Sequence, residues 1–138
     1  MQVSVFRLNT LRAMYLFIAA GLGFTMWPDI LLPTDAQADS YTVISSLLGA
    51  LGLLCLLGLR YPLKMLPLLI FELLWKLIWV TAFALRMSLD TGLDAYALDT
   101  LFACLIGLVL VPLVIPWRYA VQAFMIAKAE PWRRSDVR

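Results

Sequence analysis

The sequence predicts an all-α integral membrane protein: a four-helix bundle, N-in/C-in, with a short interfacial helix near its C-terminal end. Three observations carry that expectation. Apolar residues make up 63% of the chain and charged residues only 14%, whereas a soluble domain carries about 45–50% and about 25%. The apolar residues gather into four stretches of the length that a helix needs to cross the hydrocarbon core, about 20 residues. Finally, nine of the eleven lysines and arginines fall on one side of those stretches. A soluble globule of 138 residues could not bury so much apolar surface, so the excess must face lipid. At this length, residues 1–138 read as a single transmembrane domain.

The first span is expected from about Ala13 to Leu32, and the second, with no charge at all, from Tyr41 to Leu59. The third, Met65 to Leu85, contains Glu72 and Lys76; the fourth, from about Ala97 to Trp117, has Asp99 near its start. A β-barrel would instead show alternating segments of about ten residues, and none is present. The turn Arg60–Lys64 makes the second and third spans a tight antiparallel hairpin, while the other two connections are expected to run to roughly eight and eleven residues.

Orientation follows from charge. Arg7 and Arg12 precede the first span, Arg60 and Lys64 lie in the hairpin turn, and Arg118, Lys128, Arg133, Arg134 and Arg138 follow the fourth. The opposite loops hold Asp29, Asp35, Asp39, Asp90, Asp94 and Asp99, with Arg86 the one cation among them. Lysine and arginine stay cytoplasmic during insertion, so both termini are expected inside, and the bias is too consistent for a dual-topology protein. The basic start, the apolar run and Ala36-Gln37-Ala38 also resemble a signal peptide with a small-residue cleavage site. That apolar run is long for a signal peptide, and the segment is expected to be retained.

Apolar burial cannot drive helices together in lipid; close approach of small residues can. Ala19 and Gly23 in the first span, Ser45, Gly49 and Gly52 in the second, and Ala103 and Gly107 in the fourth are the expected contact residues. The third span is bulky throughout, from Phe71 to Trp79, and is expected to lie in grooves cut by the other three. Pro112 and Pro116 should bend or break the inner end of the fourth span. Beyond them, Trp117, Val121, Phe124 and Met125 share a face, as in a helix lying in the interface. Trp117, Arg118, Trp132, Arg133 and Arg134 are the expected interfacial anchors within a basic tail over 118–138.

Glu72 and Lys76 form the one ionisable pair well inside a span. Four residues apart, they share a helix face, with the acid on the favourable N-terminal side. Mid-membrane charges cost about 2.5–3.5 kcal/mol each on insertion scales, so the pair needs a reason. It could fasten the third helix to hydroxyls such as Ser45, Ser46 or Tyr15. Alternatively, Glu72 could carry a proton or a cationic substrate past Trp75 and Trp79, or the pair could face a partner subunit or a lipid headgroup. For Trp75 and Trp79, spaced to stack along one side of the third helix, packing is the favoured reading over lining a ligand path.

Catalytic and cofactor chemistry have little to work with. There is no histidine, no CxxC motif, and no phosphate-cradling glycine loop, so no cofactor and no metal site is expected. Cys55 and Cys104 sit inside apolar runs, where cysteine acts as a small packing residue. Asp90, Asp94 and Asp99 admit a weak cation site, with helix capping as the cheaper account. A net charge of +2 is too small to suggest nucleic acid.

Arg60 to Pro67, Phe71 to Lys76, Val111 to Tyr119 and Trp27-Pro28 resemble segments of an uncharacterised family of small proteobacterial four-helix inner-membrane proteins. The chain is also similar, in layout only, to DoxX-like proteins. The resemblance implies a bacterial inner-membrane location and no assigned activity. The chain departs from small multidrug-resistance transporters, whose essential glutamate lies in the first span, because its own first span has none. The expected function is therefore a non-catalytic accessory or assembly role, through self-association or a larger membrane-protein partner. The alternative is a small proton-coupled transporter or channel using Glu72, and an enzyme acting on a membrane lipid stands third.

Overall fold

The computed structural model describes residues 3–33 and 38–132. Most of these residues are helical, and four helices are long and apolar enough to cross a membrane by length and composition: Val5–Thr25, Ser40–Arg60, Leu66–Asp90 and Ala95–Val114. Arg133, Arg134, Asp35, Ala36 and Gln37, which the sequence reading singles out, lie outside the described residues.

Helix α1 (Val5–Thr25) starts earlier than hydropathy suggests, because the Ser4 hydroxyl accepts from the Arg7 amide and caps it. It also stops earlier. Pro28 has no amide to donate to Phe24, so the chain re-forms as a separate short helix, α2 (Trp27–Leu31), with the proline in its first turn. Helix α3 (Ser40–Arg60) opens on a capping box in which Asp39 and Thr42 satisfy each other's amides. After the turn at Pro62 to Met65, α4 (Leu66–Ile78) begins with Pro67 in its first turn.

The third span runs further than expected. From α4 the chain passes without a break through a π-helical segment (Trp79–Ala84) into α5 (Leu85–Asp90). Its outer connection shrinks from the expected eleven residues to Thr91–Asp94. That economy depends on Gly92, whose φ of +83° lets the Thr91 and Gly92 amides both donate to the Met87 carbonyl. Asp94 then caps α6 (Ala95–Val114) through the Ala97 amide. The fourth span ends at Val114, the chain is non-helical at Ile115-Pro116, and α7 (Trp117–Val121) leads into a π-helical turn, Gln122–Ile126.

All four long helices contribute to one core, with Leu11, Tyr15, Cys55, Leu69 and Val111 among its members. Outside it, large apolar side chains are open: Phe24 is 85% exposed and Phe102 68%. A water-soluble surface does not carry apolar patches of this extent, and the arrangement fits a multi-pass membrane protein.

The packing differs from the expected one in its partners. The three buried glycines of α3 receive α1 and α2, not the bulky third span. A Cβ at Gly58 would collide with the Tyr15 ring, one at Gly52 would come within 3.3 Å of Leu22, and one at Gly49 within 2.7 Å of Ile30. Among the small residues expected to mediate contact, only Gly107 of α6 receives a side chain of α4. Ala19 packs at the edge of the core and Ser45 is buried. Ala103 is exposed, however, and nothing lies within 4 Å of where a Cβ at Gly23 would sit. Spacing alone puts a residue on a face without saying which face meets a neighbour.

Candidate functional site

The chemistry in this molecule is concentrated at two levels. At the first, midway along the spans, the Lys76 ammonium lies 2.6 Å from a Glu72 carboxylate oxygen. The i, i+4 spacing on α4 brings them together, and both side chains are largely buried, Glu72 4% and Lys76 15% exposed. The Lys76 side chain lies against α6. A Cβ at Gly107 would stand 2.5 Å from Nζ and 2.9 Å from Cδ, so the lysine stem occupies space that any other residue at 107 would fill. Nζ also lies 5.5 Å from the centroid of the Trp75 ring, within the range of a cation–π contact.

The walls around the pair come from three helices. Cys55 of α3 and Cys104 of α6 are fully or almost fully buried. The Trp75 indole nitrogen is buried without a partner. The expected hydroxyl partners do not reach Glu72. Tyr15 donates to the Pro62 carbonyl at 2.8 Å, Ser46 to the Thr42 carbonyl of its own helix, and the Ser45 hydroxyl is buried without a partner. Each of the first two finds a carbonyl closer to home, so the pair neutralises itself instead of bonding to hydroxyls on α3 or α1. Trp79 opens the π-helical segment one turn beyond Lys76.

At the second level, the basic ends of the helices are gathered together. An Arg7 Nη donates to the Ile115 carbonyl at 2.8 Å, and Arg12 Nε donates to the Leu59 carbonyl at 3.0 Å. The last carbonyls of a helix have no amide of their own to accept, and a cation at that end also complements the helix dipole. Two arginines of α1 thus close the ends of α6 and α3, and Tyr15 closes the hairpin turn. Arg60 and Lys64 flank the Tyr61 ring at 5.3 and 5.2 Å from its centroid. Composition revealed these cations but not their acceptors, because carbonyls carry no sequence signal.

At the opposite end Tyr41 donates to Asp29 at 2.8 Å, joining α3 to α2. Asp39 and Asp94 serve as caps. Asp90, Asp94 and Asp99 do not come together: among the described residues no group of three or more His, Cys, Asp or Glu is placed to hold a metal. Trp117 is partly exposed and Arg118 exposed beside the α6–α7 break, and Trp132 is almost fully exposed. No family model, curated protein or solved structure matches this chain.

Proposed function

We propose that the protein is a non-catalytic, multi-pass component of the bacterial inner membrane, with both termini in the cytoplasm and an accessory or assembly role. Its partners in that role are a second copy of itself or a larger membrane protein. The observation that supports this best is the state of Glu72, whose carboxylate is buried and already matched to Lys76. An internal cation leaves little of that charge to attract a proton or a cationic cargo. The pair instead ties α4 to α6 through the lysine stem lying on Gly107. The cytoplasmic placement of the termini rests on the collection of Arg7, Arg12, Arg60, Lys64 and Arg118 at one end. The inner-membrane location rests on that bias and on the resemblance of the segments around Arg60 and Val111.

A second reading, a small proton-coupled transporter or channel using Glu72, draws support from the π-helical segment that begins three residues after Lys76. Such widened turns recur at functional sites. Replacing Glu72 with Gln in reconstituted protein separates the two. A tie between helices predicts a lower melting temperature in detergent, recovered in part when Lys76 is replaced by Met in the same chain. A transporter predicts lost proton-linked flux at an unchanged melting temperature. Flux lost without loss of stability would overturn the first reading.

A further inference from the structure

We propose that the depression between the start of α1 and the α6–α7 break binds the phosphate of an anionic phospholipid, with an acyl chain lying in the adjoining groove. The proposal rests on the membrane-spanning reading of the four helices, which membrane extraction tests independently. The depression has a volume of about 480 Å³ and is lined by Ser4, Arg7, Pro116, Trp117, Arg118 and Tyr119, with Val3 at its edge. Two arginines, from opposite ends of the sequence, therefore line one space, together with Ser4 and Tyr119 and with no acidic residue among the lining.

Among the described residues the one ion pair is Glu72–Lys76, so no described carboxylate lies within 4.0 Å of Arg7 or Arg118. Arg7 holds the Ile115 carbonyl with one Nη, which fixes the plane of its guanidinium. A positioned guanidinium with no counter-ion among the described residues fits a phosphate, whose oxygens accept from the planar fork.

The second observation selects a lipid over a soluble anion. A groove of about 490 Å³ shares Trp117 and Arg118 with the depression and is lined further by Val121, Gln122 and Ile126. Apart from Arg118 and Gln122 its walls are apolar. A cationic pocket joined edge to edge with an apolar trough, at the end of the spans, has the polarity profile of a phospholipid. The break at Pro116 creates it: an unbroken helix would carry Trp117 and Arg118 onward along the α6 axis, away from Arg7.

The full chain, purified in neutral detergent, tests this by native mass spectrometry and thermal unfolding. The probes are phosphatidylglycerol, phosphatidylcholine of the same acyl chains, and sodium phosphate. Phosphatidylglycerol is expected to remain bound and to raise the melting temperature, with the other two well below it. Arg118 is exposed and its side chain makes no hydrogen bond or ion pair among the described residues, so Arg118→Gln should fold normally and weaken phosphatidylglycerol binding about tenfold, the loss of one charge-assisted hydrogen bond. Equal retention of the two lipids, or unchanged binding by Arg118→Gln, would overturn the proposal. Protection by sodium phosphate equal to that of phosphatidylglycerol would overturn the choice of a lipid.

Discussion

The indole nitrogen of Trp117 donates to the Pro112 carbonyl at 2.8 Å. In a continuous helix that carbonyl would accept from the amide of residue 116, but residue 116 is a proline and has none. The side chain that follows the proline thus serves the acceptor that the proline abandons. The break in the fourth span therefore does not leave the Pro112 carbonyl bare at the membrane edge, where each unsatisfied group is costly.

Trp117→Phe should therefore lower stability by about 1 kcal/mol, the ordinary worth of one hydrogen bond. In a Pro116→Ala background the restored amide can serve Pro112, and the same substitution should cost much less. Thermal unfolding of the four proteins in one detergent gives the coupling. Equal costs in both backgrounds would mean that the indole bond contributes nothing.

The glycines divide sharply by what surrounds them. At Gly58 a methyl would meet the Tyr15 ring near its stem, and that ring is held at its far end by the Pro62 carbonyl. Gly58→Ala should cost about 1–3 kcal/mol, as overpacking of a fixed neighbour does. Gly21 has nothing within 4 Å, so Gly21→Ala should be neutral or stabilising by up to about 1 kcal/mol through helix propensity. Melting temperatures in the reverse order would contradict the α1–α3 contact.

Lys76→Met removes the cation and leaves Glu72 buried without its partner, the arrangement in which breaking one side costs about 3–5 kcal/mol. Gly107→Ala acts on the same pair from the opposite helix by pushing the lysine stem aside. Its cost should largely vanish when Lys76 and Glu72 are both replaced by neutral residues. A double-mutant cycle read by chemical denaturation checks this, and additive costs would separate Gly107 from the pair.

Orientation is open to labelling. Cys55 and Cys104 are 0% and 1% exposed, so neither should react with an impermeant maleimide in intact cells. A cysteine replacing Asp90 should label from outside the inner membrane, and one replacing Lys128 only after lysis. Labelling of both from the same compartment would refute the single crossing between them and, with it, the proposed topology.

Much of the architecture was legible from the chain because lipid imposes coarse rules. Span length, the clustering of cations and the break at Pro116 are local or compositional properties, and the four long helices lie where hydropathy put them to within a few residues at most ends. The exceptions are instructive. The first helix gained about two turns before Ala13 and broke after Thr25, because capping by Ser4 and the missing amide of Pro28 outweigh hydropathy. The third lengthened to Asp90 because Gly92 allowed a tighter turn. The Glu72–Lys76 pair was legible as an i, i+4 relation within a single helix, but its surroundings were not.

By itself, then, the sequence determined that the chain is helical, that it is apolar enough to enter a bilayer four times, and that its cations collect at one end. These follow from the free energy of placing each residue in hydrocarbon or in water, which depends on the residue and hardly on its neighbours. Only the tertiary structure decided that Tyr15 sits over Gly58, that Lys76 crosses Gly107, and that Arg7 and Arg118 line one depression. Those contacts depend on the rotation and offset of one helix against the next. In lipid, where burying one leucine face is worth little more than burying another, such choices are made by shape and by bonds to backbone carbonyls.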